Sequence, residues 1–117
     1  MNTVCHIEFH VTDHEKAKRF YGPLFGYQFR EFGGEMVAFG TDEGHVGGLM
    51  LKDKVEPGRS PTVWIQVESV DAMLSRAPQH GGSVISGKEK VPTVGYSAVL
   101  GDPDGNQVGV VEFARED

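Results

Sequence analysis

At 117 residues the chain has the length of one ordinary domain, enough to bury a core without disulfides, so one domain over residues 1–117 is expected. Eleven Lys and Arg against seventeen Asp and Glu leave a net charge of -6, which repels a phosphate backbone and argues against nucleic acid as a partner. No run reaches the roughly eighteen apolar residues that span a bilayer, and residues 1–6 lack the basic start and apolar stretch of a signal peptide. The single cysteine, Cys5, cannot close an internal disulfide, so the expected setting is the reducing cytoplasm, away from membranes.

Residues 4–11 alternate as a strand, with His6, Glu8 and His10 on one face and Cys5, Ile7 and Phe9 on the other. The second face reads as core, with Cys5 a small buried residue. Asp13 follows as a helix cap, and Ala17, Phe20, Tyr21 and Leu24 recur at the three- and four-residue spacing of a buried stripe, ended by Gly26. Three short strands are predicted near 27–32, 36–41 and 46–51, separated by Gly33-Gly34 and Asp42-Glu43-Gly44. That order is one βαβββ unit. Residues 52–61, with charges, two prolines and a glycine, read as an exposed linker.

The pattern then repeats. Residues 62–67 form a strand, Ser69 caps a helix, and Gly81-Gly82 ends it. Pro78, lacking an amide, implies an early end to that helix. His6 and Thr62, Asp13 and Ser69, and Gly26 and Gly82 all share an offset of 56 residues, while Gly44 and Gly105, and Gly48 and Gly109, share one of 61. An internal duplication of this kind packs about a pseudo-twofold axis. The expected fold is therefore α+β, with two βαβββ modules in tandem, about 1–55 and 61–117, forming a curved, half-barrel mixed sheet around a cleft.

The segments His6-Ile7-Glu8-Phe9, Phe20 to Gly26, Val94-Gly95-Tyr96 and Asp102-Pro103-Asp104-Gly105-Asn106 together resemble a vicinal oxygen chelate domain, the superfamily of glyoxalases, bleomycin resistance proteins and extradiol dioxygenases. Within it, Gly47-Gly48-Leu49-Met50 and the Val-Gly-Tyr segment are most similar to the single-domain group related to lactoylglutathione lyase. The Asp-Pro-Asp-Gly run is also sufficient as a turn in its own right, since Pro presets the backbone and Gly closes it.

The resemblance implies metal-ligand positions at His6, Gly48, Thr62 and Gly109 in this chain. Glycine has no donor and a neutral threonine hydroxyl is a poor ligand for zinc, nickel or iron, so only His6 is retained and no cofactor is expected. A divalent metal held by His6, Glu8 and His10 is the alternative, giving a lyase, isomerase or dioxygenase. The outer pair of that trio lies about 13 Å apart on a strand, too far for one ion. Glutathione-using relatives carry an arginine where His10 stands, which argues against glutathione here.

The expected small-molecule site is lined by His10, Thr62, Trp64, Gln66 and Tyr96, with Gly48 and Gly109 either opening space for a ligand or marking twisted strands. Glu8 or His6 is the candidate base if there is catalysis, because a carboxylate and an imidazole in a partly dry cleft hold a proton near neutral pH. Three functional classes remain open: a metal-independent binding protein or enzyme, a divalent-metal-dependent lyase, isomerase or dioxygenase, and a drug-sequestering protein of the resistance type. Exposed strand edges on two halves predict a homodimer. His14, His45 and His80 read as solvated.

Overall fold

The computed structural model describes residues 4–57 and 63–114. Thr62 therefore lies outside the described residues. The first module runs β1 (Ile7–Val11), α1 (His14–Phe25), β2 (Gln28–Gly33), β3 (Met36–Thr41) and β4 (Gly44–Leu51). The second runs β5 (Val63–Gln66), α2 (Val70–Arg76), a 3-10 turn (Ala77–His80), β6 (Ser83–Val91), β7 (Gly95–Gly101) and β8 (Gln107–Phe113). Each module makes its own four-stranded sheet, in the orders β1-β4-β3-β2 and β5-β8-β7-β6. The first strand of each is parallel to the last, and the other pairings are antiparallel. The α+β class and the tandem modules are thus as the repeat implied, while the two sheets stay open and share no ladder.

Local chemistry explains the helix ends. Asp13 accepts from the amides of Glu15 and Lys16, satisfying donors that a helix start leaves orphaned, and Gly26 closes α1 at φ 73°, a left-handed conformation that costs glycine little. Ser69 accepts from the Ala72 amide at the start of α2. The helix gives way to the 3-10 turn at Ala77, where Pro78 cannot supply the next amide. Pro23 falls in the last turn of α1, where its missing amide leaves one helix hydrogen bond unmade, and its carbonyl accepts from Arg76 Nη2 at 2.6 Å.

One hydrophobic cluster runs through both modules. Ala17, Phe20, Tyr21 and Leu24 of α1 meet Phe9, Val11, Val37, Phe39 and Leu49 on one side and Val70, Ala77, Leu100, Val108 and Val110 on the other. Cys5 is a correction: β1 begins only at Ile7, so Cys5 precedes the strand's alternation and is exposed rather than buried.

The 102–106 turn proves to be the clasp between modules. The buried Asp102 carboxylate accepts from Tyr21 Oη (2.9 Å), from Asn106 Nδ2 (2.8 Å) and from the amides of Asp104 and Asn106. Asn106 Nδ2 also donates to the His10 carbonyl, and Asp104 accepts from the amide and hydroxyl of Thr12. The turn reading was sufficient for its backbone; what joins Tyr21, His10 and Thr12 to it is tertiary. Burial pushes the Asp102 carboxyl up from its ordinary value despite the hydrogen bonds it accepts from Asn106, Tyr21 and Asp104, and burial beside that carboxylate pushes the Tyr21 hydroxyl well above 10.0.

Candidate functional site

Each sheet presents one face to the helices and leaves the other open. In the first sheet the ladder aligns Glu8, Gly48, Ala38 and Arg30 in one row across the open face, and His10, Met50 and Met36 in the next. In the second, Trp64, Gly109, Val99 and Ser86 form one row, and Gln66, Val111, Ser97 and Glu89 the next. The alternation of β1 thus sends His6, Glu8 and His10 to the open side, and that of β5 sends Trp64 and Gln66 there.

The polar groups pair differently from any arrangement the sequence suggested. His10 Nε2 donates to Glu8 Oε2 at 2.7 Å, with the two side chains 48% and 39% exposed. His6 Nδ1 lies 2.8 Å from His45 Nε2, with the ring centroids 5.0 Å apart and the ring planes 19° from parallel. In that pair one ring nitrogen donates and the other accepts. His45 is exposed, as expected, and is paired with His6. It also lines a 420 Å³ pocket with Gln28, Arg30, Ala38 and Gly40, and Gln28 Nε2 donates to Asp42 at 2.7 Å. Arg30 was legible as the polar partner of Phe29 in a two-residue alternation; His45 was not, because its position depends on an irregularity in β3–β4 pairing near Gly40.

Gly48 and Gly109 are filled positions, not openings. A methyl on Gly48 would run into the Met36 sulfur and approach His6 Cε1 to 3.2 Å. A methyl on Gly109 would meet the Trp64 ring, 2.6 Å from Cδ2 and 2.7 Å from Cζ3 and closer still to Cε3. The glycine lets the indole lie flat on the β8 backbone, and Trp64 remains 54% exposed there.

Tyr96 is a second correction. It pairs with Glu112 in the ladder, an odd number of residues from Gly109, and so points to the helix side. There it packs against the core, with Lys88 Nζ 4.3 Å over its ring and Asp71 of α2 accepting from Lys88 at 3.0 Å. Strand alternation was the missing constraint: Tyr96 and Val99 cannot share a face on an unbulged strand.

The donor set does not fit a resident metal at the positions the resemblance implied. Of His6, Gly48 and Gly109, two have no donor and their space is taken by Met36 and Trp64. Among the described residues no three His, Cys, Asp or Glu side chains converge. His6, Glu8 and His10 do not act as a trio, since His6 turns to His45 and Glu8 to His10.

Four of the pockets among the described residues measure 340 to 590 Å³; one lies beside His45, and neither His6 nor Trp64 lines any of the four.

Two βαβββ modules with open faces define a class, and comparison with known proteins supplies the family. A profile of the Glyoxalase/Bleomycin resistance protein/Dioxygenase superfamily matches residues 3–110, and the chain belongs to that superfamily. It is 28% identical, over 93% of its length, to a Mycobacterium bovis protein called "Putative glyoxylase CFP32", of which it spans 45%. The chain thus spans about half the length of the curated relatives it matches. A glyoxalase-related enzyme from Fulvimarina pelagi superposes with a TM-score of 0.76 at 21% identity, covering 96% of this chain and 88% of that one. TnmS3, an antibiotic binding protein from Streptomyces sp. CB03234, superposes with a TM-score of 0.64 at 26% identity, covering 97% and 99%. No helix among the described residues is long and apolar enough to cross a membrane.

Proposed function

We propose that this chain binds a small planar organic molecule on its open strand faces, without a resident metal ion, and that two copies pair to cover those faces. The observation that carries this reading is Trp64, a large aromatic held flat on Gly109 with 54% of its surface exposed. A half-exposed indole on a rigid strand is a stacking platform, and a few orienting polar groups complete a small-molecule site. His45, Arg30 and Gln28 around the 420 Å³ pocket are such groups. The likeness to an antibiotic binding protein favours binding of this kind, including sequestration of a drug.

Pairing of two copies is supported by the apolar side chains that share the open face of the second sheet. Phe113 follows Gly109 and Val111 in the alternation, Ile85 lies beside Gly101, and both are exposed with Trp64. Soluble proteins seldom leave such a group uncovered. A lone exposed thiol, Cys5, suits the reducing cytoplasm.

A second reading rests on the 2.7 Å contact between Glu8 and His10. A carboxylate holding an imidazole proton is a proton-transfer pair, so Glu8 is the base of a lyase or isomerase if the bound molecule is turned over, with His6 the other candidate.

The test combines binding and metal content. Trp64 is the only tryptophan, so its emission reports the site directly. Polycyclic aromatic antibiotics should quench it saturably, and Trp64→Ala should lose the heat of binding in calorimetry. Stoichiometric metal in untagged protein, lost in His6→Ala, would overturn the metal-free reading. Substrate consumption abolished by Glu8→Gln would favour the enzymatic one.

A further inference from the structure

The largest of the four pockets, 590 Å³, lies away from both open faces, along the junction of the modules. Lys16, Arg19 and Pro23 of α1 form one side, Gln79, His80 and Gly81 at the end of the 3-10 turn the other, and Pro103 of the clasp turn completes it. Residues 16, 19 and 23 recur at helical spacing, so they make one stripe beside the buried one. Two hydrogen bonds fix the width of the groove: Arg76 to the Pro23 carbonyl, and Tyr21 to Asp102.

The lining carries two permanent cations, an imidazole and a carboxamide, and no carboxylate. The acids nearest in sequence have other partners: Glu15 pairs with Lys18, Asp13 with the amides of Glu15 and Lys16, Asp102 with Tyr21 and Asn106, and Asp104 with Thr12. Lys18, on the same helix, is paired with Glu15 and Glu31, and Lys88 with Asp71. Among the described residues neither Lys16 nor Arg19 makes a direct ion pair, and the one carboxylate whose charge they are seen to act on, Asp13, is turned to the helix amides. On a chain of net charge -6, unpaired cations gathered in one concavity mark an anion site.

We propose that this groove binds a phosphorylated small molecule, its phosphoryl group held by Lys16 and Arg19 and the rest of the molecule lying against Pro23 and Pro103. The guanidinium fork matches two phosphoryl oxygens and the ammonium serves as a point charge for the third. Gln79 and His80 add donors from the facing wall, more than a single carboxylate accepts. The volume is that of a small-molecule pocket, and two cations are too few for a nucleic acid strand.

The experiment is a titration of the full chain with inorganic diphosphate, followed by ¹H–¹⁵N amide shifts. Saturable shifts at residues 16–19 and 79–81 are expected. The double variant Lys16→Gln/Arg19→Gln should weaken binding by about tenfold or more, while Lys18→Gln leaves it unchanged. The amide spectrum itself reports whether each variant is folded, and His80→Ala, which changes the other wall, provides a second weakened variant. No shifts at millimolar diphosphate, shifts centred on His45 and Arg30 instead, or equal loss in Lys18→Gln would overturn the proposal. So would malonate binding as tightly as diphosphate, since a dicarboxylate lacks the phosphoryl group.

Discussion

Replacing Gly109 by alanine tests whether the glycine exists to seat Trp64. The added methyl would stand 2.6 to 2.7 Å from Cδ2 and Cζ3 of the indole, where carbon atoms need about 3.5 to 4.0 Å. The ring must therefore lift by about 1 Å or swing off the strand. It is free to do so, because Trp64 is already half exposed. The cost is the apolar area that the indole covers against β8: uncovering roughly 50 Å² at about 25 cal/mol per Å² removes about 1 kcal/mol. Gly109→Ala should then lower stability by about that amount in urea unfolding, red-shift the emission of the lone tryptophan, and weaken aromatic ligands. Gly48→Ala is the internal comparison. Its methyl would meet chiefly the Met36 thioether, an adaptable side chain that moves at little cost, so emission and stability should change less. An unchanged emission maximum and unchanged ligand affinity in Gly109→Ala would refute the stacking argument.

Two further outcomes follow from the clasp. Tyr21→Phe removes a hydrogen bond to a buried carboxylate and should cost about 1.5 to 3 kcal/mol in chemical unfolding, with loss below 0.5 kcal/mol showing that Asn106 alone satisfies Asp102. Burial raises the folded-state pKa of Asp102 above 3.8, so its contribution to stability is fully present below pH 3.8 and is lost as pH rises through the raised value. A carbon-detected titration should place the Asp102 midpoint above 3.8, and Asp102→Asn should remove that part of the pH dependence; a midpoint at or below 3.8 would contradict the burial argument.

Local order determined much of this protein from sequence alone. The cap at Asp13, the stop at Gly26, the interruption at Pro78 and the two-residue alternation of β1 and β5 depend on neighbours within a few residues, and the offsets of 56 and 61 carried that grammar from one module to the next. The loss of ligands at Gly48 and Gly109 was equally legible, because a residue without a side chain has no donor wherever it lies. What fills those positions was not: Met36 and Trp64 arrive from neighbouring strands, and only the register brings them over the glycines. Tyr96 turned to the helices because its parity is counted from β8, and His45 met His6 across 39 residues at an irregular point in the ladder. The Asp102 clasp and the basic groove join residues of both modules, so they exist only once α1 has packed on the second half. Side-chain type and local periodicity fix which face a residue prefers; which partner waits there is set by register and packing, which no single segment contains.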